Sequence, residues 1–286
     1  MNTLALRQTK AKLQQPHEKL VKDIVVPGPL ASLKRFVPLL VPLAILMIWQ
    51  IASSGGALSS TILPSPLNVA RAFLRLLLSG ELTENAAISF LRAVSGLLVG
   101  GTLAFALGLS NGLSRLSAQA TDTTIQMIRN IPNLALIPLV ILWFGIGEGA
   151  KLFLVSLGVF FPIYINTFHG IRTVDPQLLE MARSYGYRGF ALFWLVILPG
   201  ALPSIFVGLR YALGIMWLTL IVAETIAAQS GLGYMAMSAR EFMQTDVVVL
   251  AILIYALLGK AADLLVRFFE SLTLSWHPAY TKGVRV

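Results

Sequence analysis

The sequence predicts an all-α polytopic membrane protein with about six transmembrane helices. Of its 286 residues, 56% are hydrophobic and only 12% are charged, against about 25% charged in a typical soluble domain. A chain with so few charged side chains cannot cover a globule with polar surface in water. A lipid bilayer is therefore its natural solvent.

Six stretches are apolar and long enough to cross the hydrocarbon as helices of about 20 residues. They are 36–54, 88–110, 123–145, 151–171, 201–227 and 247–268. Together they predict a transmembrane domain at 36–268, flanked by a basic tail at 1–35 and a second tail at 269–286. No signal peptide precedes the first stretch, so we interpret it as a retained membrane anchor.

The positions of the lysines and arginines predict the orientation of these helices. If the N terminus is cytoplasmic, most basic residues outside the spans fall in inside segments, with few in the external loops. The inside segments are 1–35, 111–122, 172–200 and 269–286. This positive-inside bias predicts that both termini are cytoplasmic. It also accounts for the net charge of +9 without a nucleic-acid partner.

The longest external loop, 55–87, contains an amphipathic stretch at 66–78, in which the apolar residues recur at helical spacing; they are Val69, Phe73, Leu76 and Leu77. This pattern is typical of a helix that lies on the membrane surface. No external loop is long enough to form a receptor domain, so substrate capture would require another chain.

The inside loop 172–200 carries the most specific local signal. Asp175 is a good N-cap, Pro176 suits the first helical position, and Gly186 is placed to end the helix. Such a short helix is not stable alone, so it must dock. From the residues themselves, the membrane surface and another protein are equally good partners.

The spacing of five residues in this loop resembles the EAA signature of binding-protein-dependent ABC permeases. These residues are Glu180, Ala182, Gly186, Leu198 and Pro199. Met181 and Val196 depart mildly from the pattern. The resemblance implies a type I ABC importer permease (MetI-like) fold, in which this helix couples the spans to a cytoplasmic ATPase.

The resemblance covers most of the chain beyond residue 36 and points to the sulfonate/taurine/nitrate branch, with aliphatic sulfonate permeases nearest. It rests on segments 62–66, 128–132, 138–145 and 223–225. It implies a bacterial inner-membrane protein without catalytic activity or cofactor, which imports a small organic anion. The implied partners are two ATPase subunits that bind ATP and Mg²⁺, a second permease copy, a substrate-binding protein, and membrane lipid.

Charged and polar residues within the spans are candidates for the translocation pathway, because a charge in the bilayer costs from about 2.5 kcal/mol upward. The candidates are Arg129, Asn130, Arg210 and Glu224. Arg129 or Arg210 would attract an anion, and Glu224 would lie near the outer mouth. An interhelical ion pair that only fixes packing is an equally good explanation. For Lys260, snorkelling of the long side chain toward the interface is the better explanation.

Two further patterns concern helix packing. Gly96, Gly100, Ala104 and Gly108 recur every four residues, which favours close approach of a second helix. We expect that helix to belong to the same chain. The prolines at 132, 138 and 162 predict kinks, either fixed bends or gates.

Other functional classes have weaker support. No Gly-x-x-x-x-Gly-Lys-Ser/Thr motif is present, so the chain lacks that phosphate-binding loop, and the histidines show no metal spacing. A membrane enzyme would need a catalytic cluster. A secondary transporter or channel remains the alternative from a different class, with Glu224 as its only plausible intramembrane carboxylate.

Overall fold

A computed structural model describes residues 37–55 and 62–276, without the side chains of 37–39 and Ala227. The predicted tail 1–35 and the end of the second tail lie outside these residues. The chain divides into two compact units, Met1–Ala57 and Leu58–Val286. The first contains α1, Val37–Ser54, an apolar helix with Pro42 in its interior.

The second unit contains ten α-helices among its described residues. They are α2 Pro66–Leu78, α3 Glu81–Leu113, α4 Arg115–Arg129, α5 Ile137–Phe144, α6 Glu148–Arg172, α7 Pro176–Ser184, α8 Gly189–Leu192, α9 Leu198–Ala227, α10 Leu232–Glu241 and α11 Thr245–Thr273. A 3₁₀ turn, Asn133–Leu136, precedes α5, and a π-helical turn, Phe193–Ile197, joins α8 to α9. The described residues contain no strand, which confirms the predicted all-α class.

Four helical segments of the described chain are long and apolar enough to cross a membrane. They are Glu81–Leu113, Glu148–Arg172, Gly189–Ile226 and Thr245–Thr273. The bent pair α4–α5 makes a fifth if it is counted as one span, and the shorter apolar helix Leu40–Ser54 gives the sixth apolar segment.

The third predicted span differs from a continuous helix over 123–145. The chain bends by 84° between Arg115–Arg129 and Asn133–Phe144. Pro132 lies at the break; it has no N–H to donate, and it disfavours helical backbone at the residue before it. Helix α4 also begins at Arg115, so the predicted inside loop 111–122 is largely helical.

The small residues of α3 pack against α6 of the same chain, as expected. A Cβ at Gly96 would clash with Val155, and one at Gly108 would lie 2.9 Å from the backbone oxygen of Tyr164. Ser156 donates a hydrogen bond of 3.2 Å to the Gly96 carbonyl. Because α6 also packs closely along α9, it forms the centre of the second unit.

The amphipathic helix α2 packs on protein rather than lying free on a surface. Val69, Ala72 and Leu76 are buried, and α2 contacts α11 and α3. Arg75 reaches Asp246 at the start of α11, with 3.5 Å between the charged groups. Of the predicted apolar face, Phe73 and Leu77 remain exposed.

Candidate functional site

Helix α7 begins and ends as its residue types predict. The Asp175 carboxylate accepts a 2.9 Å hydrogen bond from the Gln177 backbone N–H, which caps the first turn. At the other end, Gly186 adopts the left-handed conformation with φ +89°. The Gly186 N–H then bonds the Arg183 carbonyl, and the Tyr187 N–H bonds the Ala182 carbonyl. This is a Schellman motif, which satisfies two carbonyls that the helix leaves free.

Most of α7 has no cover from the described chain. Ala182 is buried against it, but Glu180 is exposed, and the apolar Met181 and Tyr185 are 52% and 79% exposed. Of Leu178, Ala182 and Tyr185, which share one face of α7, only Ala182 is buried. The exposed face of this capped helix carries both charged and apolar side chains, and it lies at one end of the bundle.

Leu198 and Pro199, which end the signature, begin α9 directly after the π-helical turn. Pro199 has no N–H, so it cannot donate to the carbonyl four residues earlier. The adjoining π turn is the local departure from α geometry, of a kind that is frequent at functional sites. Helix α7 contacts both this turn and α8.

The other end of the bundle holds a buried polar network around Glu224, which is 1% exposed. Its carboxylate accepts hydrogen bonds from the Ser89 hydroxyl at 2.8 Å, the Tyr255 hydroxyl at 2.9 Å and the Gly233 N–H at 2.9 Å. Arg92, 8% exposed, donates a fourth at 2.9 Å. A buried charge is tolerated when it is paired and hydrogen-bonded to this extent.

Arg92 uses all five of its N–H donors. Besides Glu224, it binds the two carboxylate oxygens of Glu148 at 2.7 and 2.6 Å, and the carbonyl and hydroxyl of Ser230 at 2.6 and 2.9 Å. Lys151, 3% exposed, donates to Glu148 at 2.8 Å. We name Arg92, Lys151, Glu148 and Glu224 the four-charge cluster; it joins α3, α6 and α9.

The loop before α10 lies so close to this cluster that two positions have room only for glycine. A Cβ on Gly231, at φ +107°, would collide with the Glu224 carboxylate, and one on Gly233 would lie 2.9 Å from the Ile221 carbonyl. The Gly231 N–H donates to the Asn85 side chain at 2.7 Å. The loop is therefore closed over Glu224 by backbone contacts.

Arg210 belongs to a second ionic cluster, between α9 and α11. Its Nη2 donates to Glu270 and its Nε lies 3.3 Å from Asp263. Lys260 and Arg267 also approach Asp263, at 3.5 and 2.9 Å. The Lys260 side chain itself is exposed.

Arg129 and Asn130 lie at the break between α4 and α5, where both are exposed. Asn130 donates back to the Gln126 carbonyl at 3.1 Å. Arg129 lines a cavity of about 410 Å³ bounded by the break, α6 and α9. Among the described residues, none forms an ion pair with Arg129.

Residues 96–274 match the family model described as the binding-protein-dependent transport system inner membrane component. The chain belongs to this family. It is a multi-pass, non-catalytic permease subunit of an ABC importer, which works with ATPase subunits and a substrate-binding protein.

Curated relatives resemble the permease over most of its length. The aliphatic sulfonates transport permease SsuC of Escherichia coli, named as putative, is 62% identical over 87% of this chain and 94% of the relative. SsuC of Bacillus subtilis, also named as putative, is 46% identical over 85% and 88%. The taurine permease TauC of E. coli is 35% identical over 82% and 86%.

Among solved structures, a chain of the MetNI methionine ABC transporter in inward-facing conformations is 20% identical, with a TM-score of 0.48. The match covers 68% of this chain and 97% of the MetNI chain.

The pathway candidates of the permease lie apart from one another. No hydrogen bond or ion pair joins Arg129, Arg210 and Glu224. Glu224 and Arg210 are paired with charges on other helices, which favours the packing role considered for them. Arg129 is the pathway candidate with which no described residue forms an ion pair.

Sequence reasoning missed Arg92 and Glu148 in the permease. Arg92 lies within the predicted span 88–110, and an arginine at such a position was itself a signal of a buried partner. Glu148 comes just before the span predicted at 151–171 and so lies outside the predicted spans.

Proposed function

We propose that the permease imports aliphatic sulfonates by alternating access, and that α7 transmits the ATPase cycle to the spans. The relatives named for aliphatic sulfonates support the substrate class. The observation that carries the coupling role is the capped, exposed helix α7 between two spanning helices. Taurine is the second candidate because a taurine permease is also similar.

The surface of α7 suits a groove on a cytoplasmic ATPase. Exposed Met181 and Tyr185 offer apolar contact area, while Glu180 and Arg183 offer opposite charges. Two ATPase subunits would each receive one α7, and ATP and Mg²⁺ would bind to those subunits. In this proposal no nucleotide contacts the permease.

The cycle follows from the rigidity of this connection. When the two ATPases close on ATP, they draw the two α7 helices together, and the spans open toward the substrate-binding protein. Hydrolysis and product release reverse the motion. A flexible loop would absorb the displacement, whereas a helix capped at both ends passes it to α9.

We further propose that the permease is a homodimer in the bacterial inner membrane, with both termini in the cytoplasm. Few side chains in the most apolar part of Gly189–Ile226 are buried within the chain. Exposed Tyr211 and Leu218 on α9 leave apolar surface for lipid and for a second copy. The positive-inside bias supports the orientation.

The coupling role is tested by Glu180→Lys, which reverses an exposed charge on α7. We expect the variant to insert into the membrane normally and to lose uptake of labelled alkanesulfonates in a strain that lacks the native gene. Glu180→Gln is the matched control and should keep most uptake. Wild-type uptake by Glu180→Lys would contradict the coupling role.

The orientation is tested by single cysteines, because the chain contains none of its own. A cysteine at Ser184 on α7 should react with a membrane-impermeant maleimide only after the cells are opened. A cysteine at Ser79, after α2, should react in cells with a permeable outer membrane alone. The reverse pattern would contradict the proposed orientation.

A further inference from the structure

The cavity beside Arg129 lies near the middle of the membrane-spanning bundle. Its α6 wall runs from Gly158 to Ile165, and these residues are central in Glu148–Arg172. Ile215 and Thr219 of α9 form the opposite wall. The volume of about 410 Å³ falls within the range of small-molecule sites, roughly 300–1,000 Å³.

The backbone at this depth is not regularly helical. Residues 130–136 turn away from α4 and include the 3₁₀ turn Asn133–Leu136. In a membrane, such backbone is tolerated only where it is buried in protein or lines a water-filled cavity. Arg129 and Asn130 are exposed, so the described chain itself leaves this break uncovered.

Arg129 differs from Arg92 and Arg210 in having no ion-pair partner among the described residues. Arg92 and Arg210 each contact two carboxylates. No described residue forms an ion pair with Arg129, and no residue that lines the cavity is acidic. An ionisable side chain inside the membrane is by default a candidate functional site.

The remaining walls are largely apolar. Phe161, Pro162, Ile165 and Ile215 line the cavity, with Asn133 and Thr219 as its neutral polar residues. The cavity therefore presents one positive charge beside an apolar surface. It matches a ligand with one anionic head and an apolar tail.

We propose that Arg129 binds the sulfonate head of a transported alkanesulfonate, while its alkyl chain lies against Phe161, Ile165 and Ile215. This rests on the proposed function and adds a selectivity to it. An ammonium group on the ligand, as in taurine, would find no carboxylate among the lining residues. The site thus prefers simple alkanesulfonates to zwitterionic ones.

An anionic phospholipid offers the same chemistry, an anionic head on apolar chains. Its head lies at the membrane surface, however, about 15 Å from the middle of a hydrocarbon core roughly 30 Å thick. The mid-depth position of the cavity therefore favours a transported solute.

The test uses the full complex, with its ATPase and binding protein, in liposomes of phosphatidylcholine. Uptake of pentanesulfonate, ethanesulfonate and taurine is compared for wild type, Arg129→Gln and Arg129→Lys. We expect Arg129→Gln to reduce pentanesulfonate uptake by roughly tenfold or more, the loss for one hydrogen bond to a charged group. Arg129→Lys should restore much of it. Arg240→Gln, on the exposed end of α10, is the control for charge and should match wild type.

A second variant tests the apolar wall. Ile165→Trp narrows the cavity and should reduce uptake of pentanesulfonate more than uptake of ethanesulfonate, whereas Ile165→Val should leave that ratio unchanged. Because every variant uses the same binding protein, the ratio reports on the permease. If Arg129→Gln fails to assemble with the ATPase, two other results decide whether the site is correct. They are the uptake by Arg129→Lys and the ratio of pentanesulfonate to ethanesulfonate uptake in the Ile165 variants.

The outcomes separate the two proposals. A wild-type complex that imports no sulfonate overturns the proposed function, and this site with it. Sulfonate import that is unaffected by Arg129→Gln, with an unchanged chain-length ratio in Ile165→Trp, overturns the site alone. A dependence of the Arg129→Gln defect on added phosphatidylglycerol would assign the site to lipid and also overturn it.

Discussion

Arg92 and Arg129 are both arginines within the spanning helices, but they are treated in opposite ways. Arg92 is buried, and all its donors bind protein groups. Arg129 is exposed in a cavity, and no described residue pairs with it. The difference separates a charge that holds helices together from a charge left available for a ligand. Neither sequence position alone reveals which role applies.

The largest expected effect comes from disrupting the buried pair between Arg92 and Glu224. Glu224→Ala removes one of the two carboxylates that pair with buried Arg92 and leaves the four-charge cluster with a net charge of +1, and breaking a buried pair costs about 3–5 kcal/mol. We expect a marked loss of thermal stability of the purified permease in detergent. Glu241→Ala, at the exposed end of α10, is the matched control and should change stability by less than about 0.5 kcal/mol. Equal stability of the two variants would contradict a structural role for the cluster.

A smaller effect is expected from the glycine that closes the loop over Glu224. Gly231 and Gly80 both have positive φ, at 107° and 83°, but a Cβ meets the Glu224 carboxylate at Gly231 and nothing within 4 Å at Gly80. Gly80→Ala should cost about 1 kcal/mol from backbone strain alone. Gly231→Ala should cost at least about 1 kcal/mol more, because the carboxylate must also shift. Chemical denaturation of the two variants measures the difference, and equal losses would show that the loop yields freely.

The smallest effect is expected at the exposed ion pair between Arg267 and Asp263, one turn apart on α11. Because this pair faces outward, Arg267→Ala should change the free energy of unfolding by no more than about 0.5 kcal/mol. The same measurement on Arg210→Ala should give a larger loss, since Glu270 is buried. Similar values for both would mean that burial does not separate the two kinds of pair.

Local features of the permease could be predicted from sequence because they depend on neighbouring residues. The cap at Asp175, the left-handed Gly186 and the bend near Pro132 each follow from backbone chemistry within a few positions. The close contact of α3 could also be anticipated from its small residues.

The buried network could not be predicted in the same way. Arg92 and Glu224 are 132 residues apart, and Arg92 and Glu148 are 56 apart. A pairing over such separations depends on which helices become neighbours, which periodicity does not specify. The sequence identified Glu224 and Arg210 as unusual, but their partners, and hence their roles, required the structure.

The four-charge cluster also has an electrical consequence. Its two cations, Arg92 and Lys151, and its two carboxylates, Glu148 and Glu224, carry no net formal charge. A membrane potential of 100 mV does about 2.3 kcal/mol of work on each elementary charge that crosses it, but none on a neutral group that moves as a unit. Movement of the four-charge cluster as a unit is therefore insensitive to voltage. In the proposed function, the electrical work of import falls on the transported anion, and ATP hydrolysis supplies it.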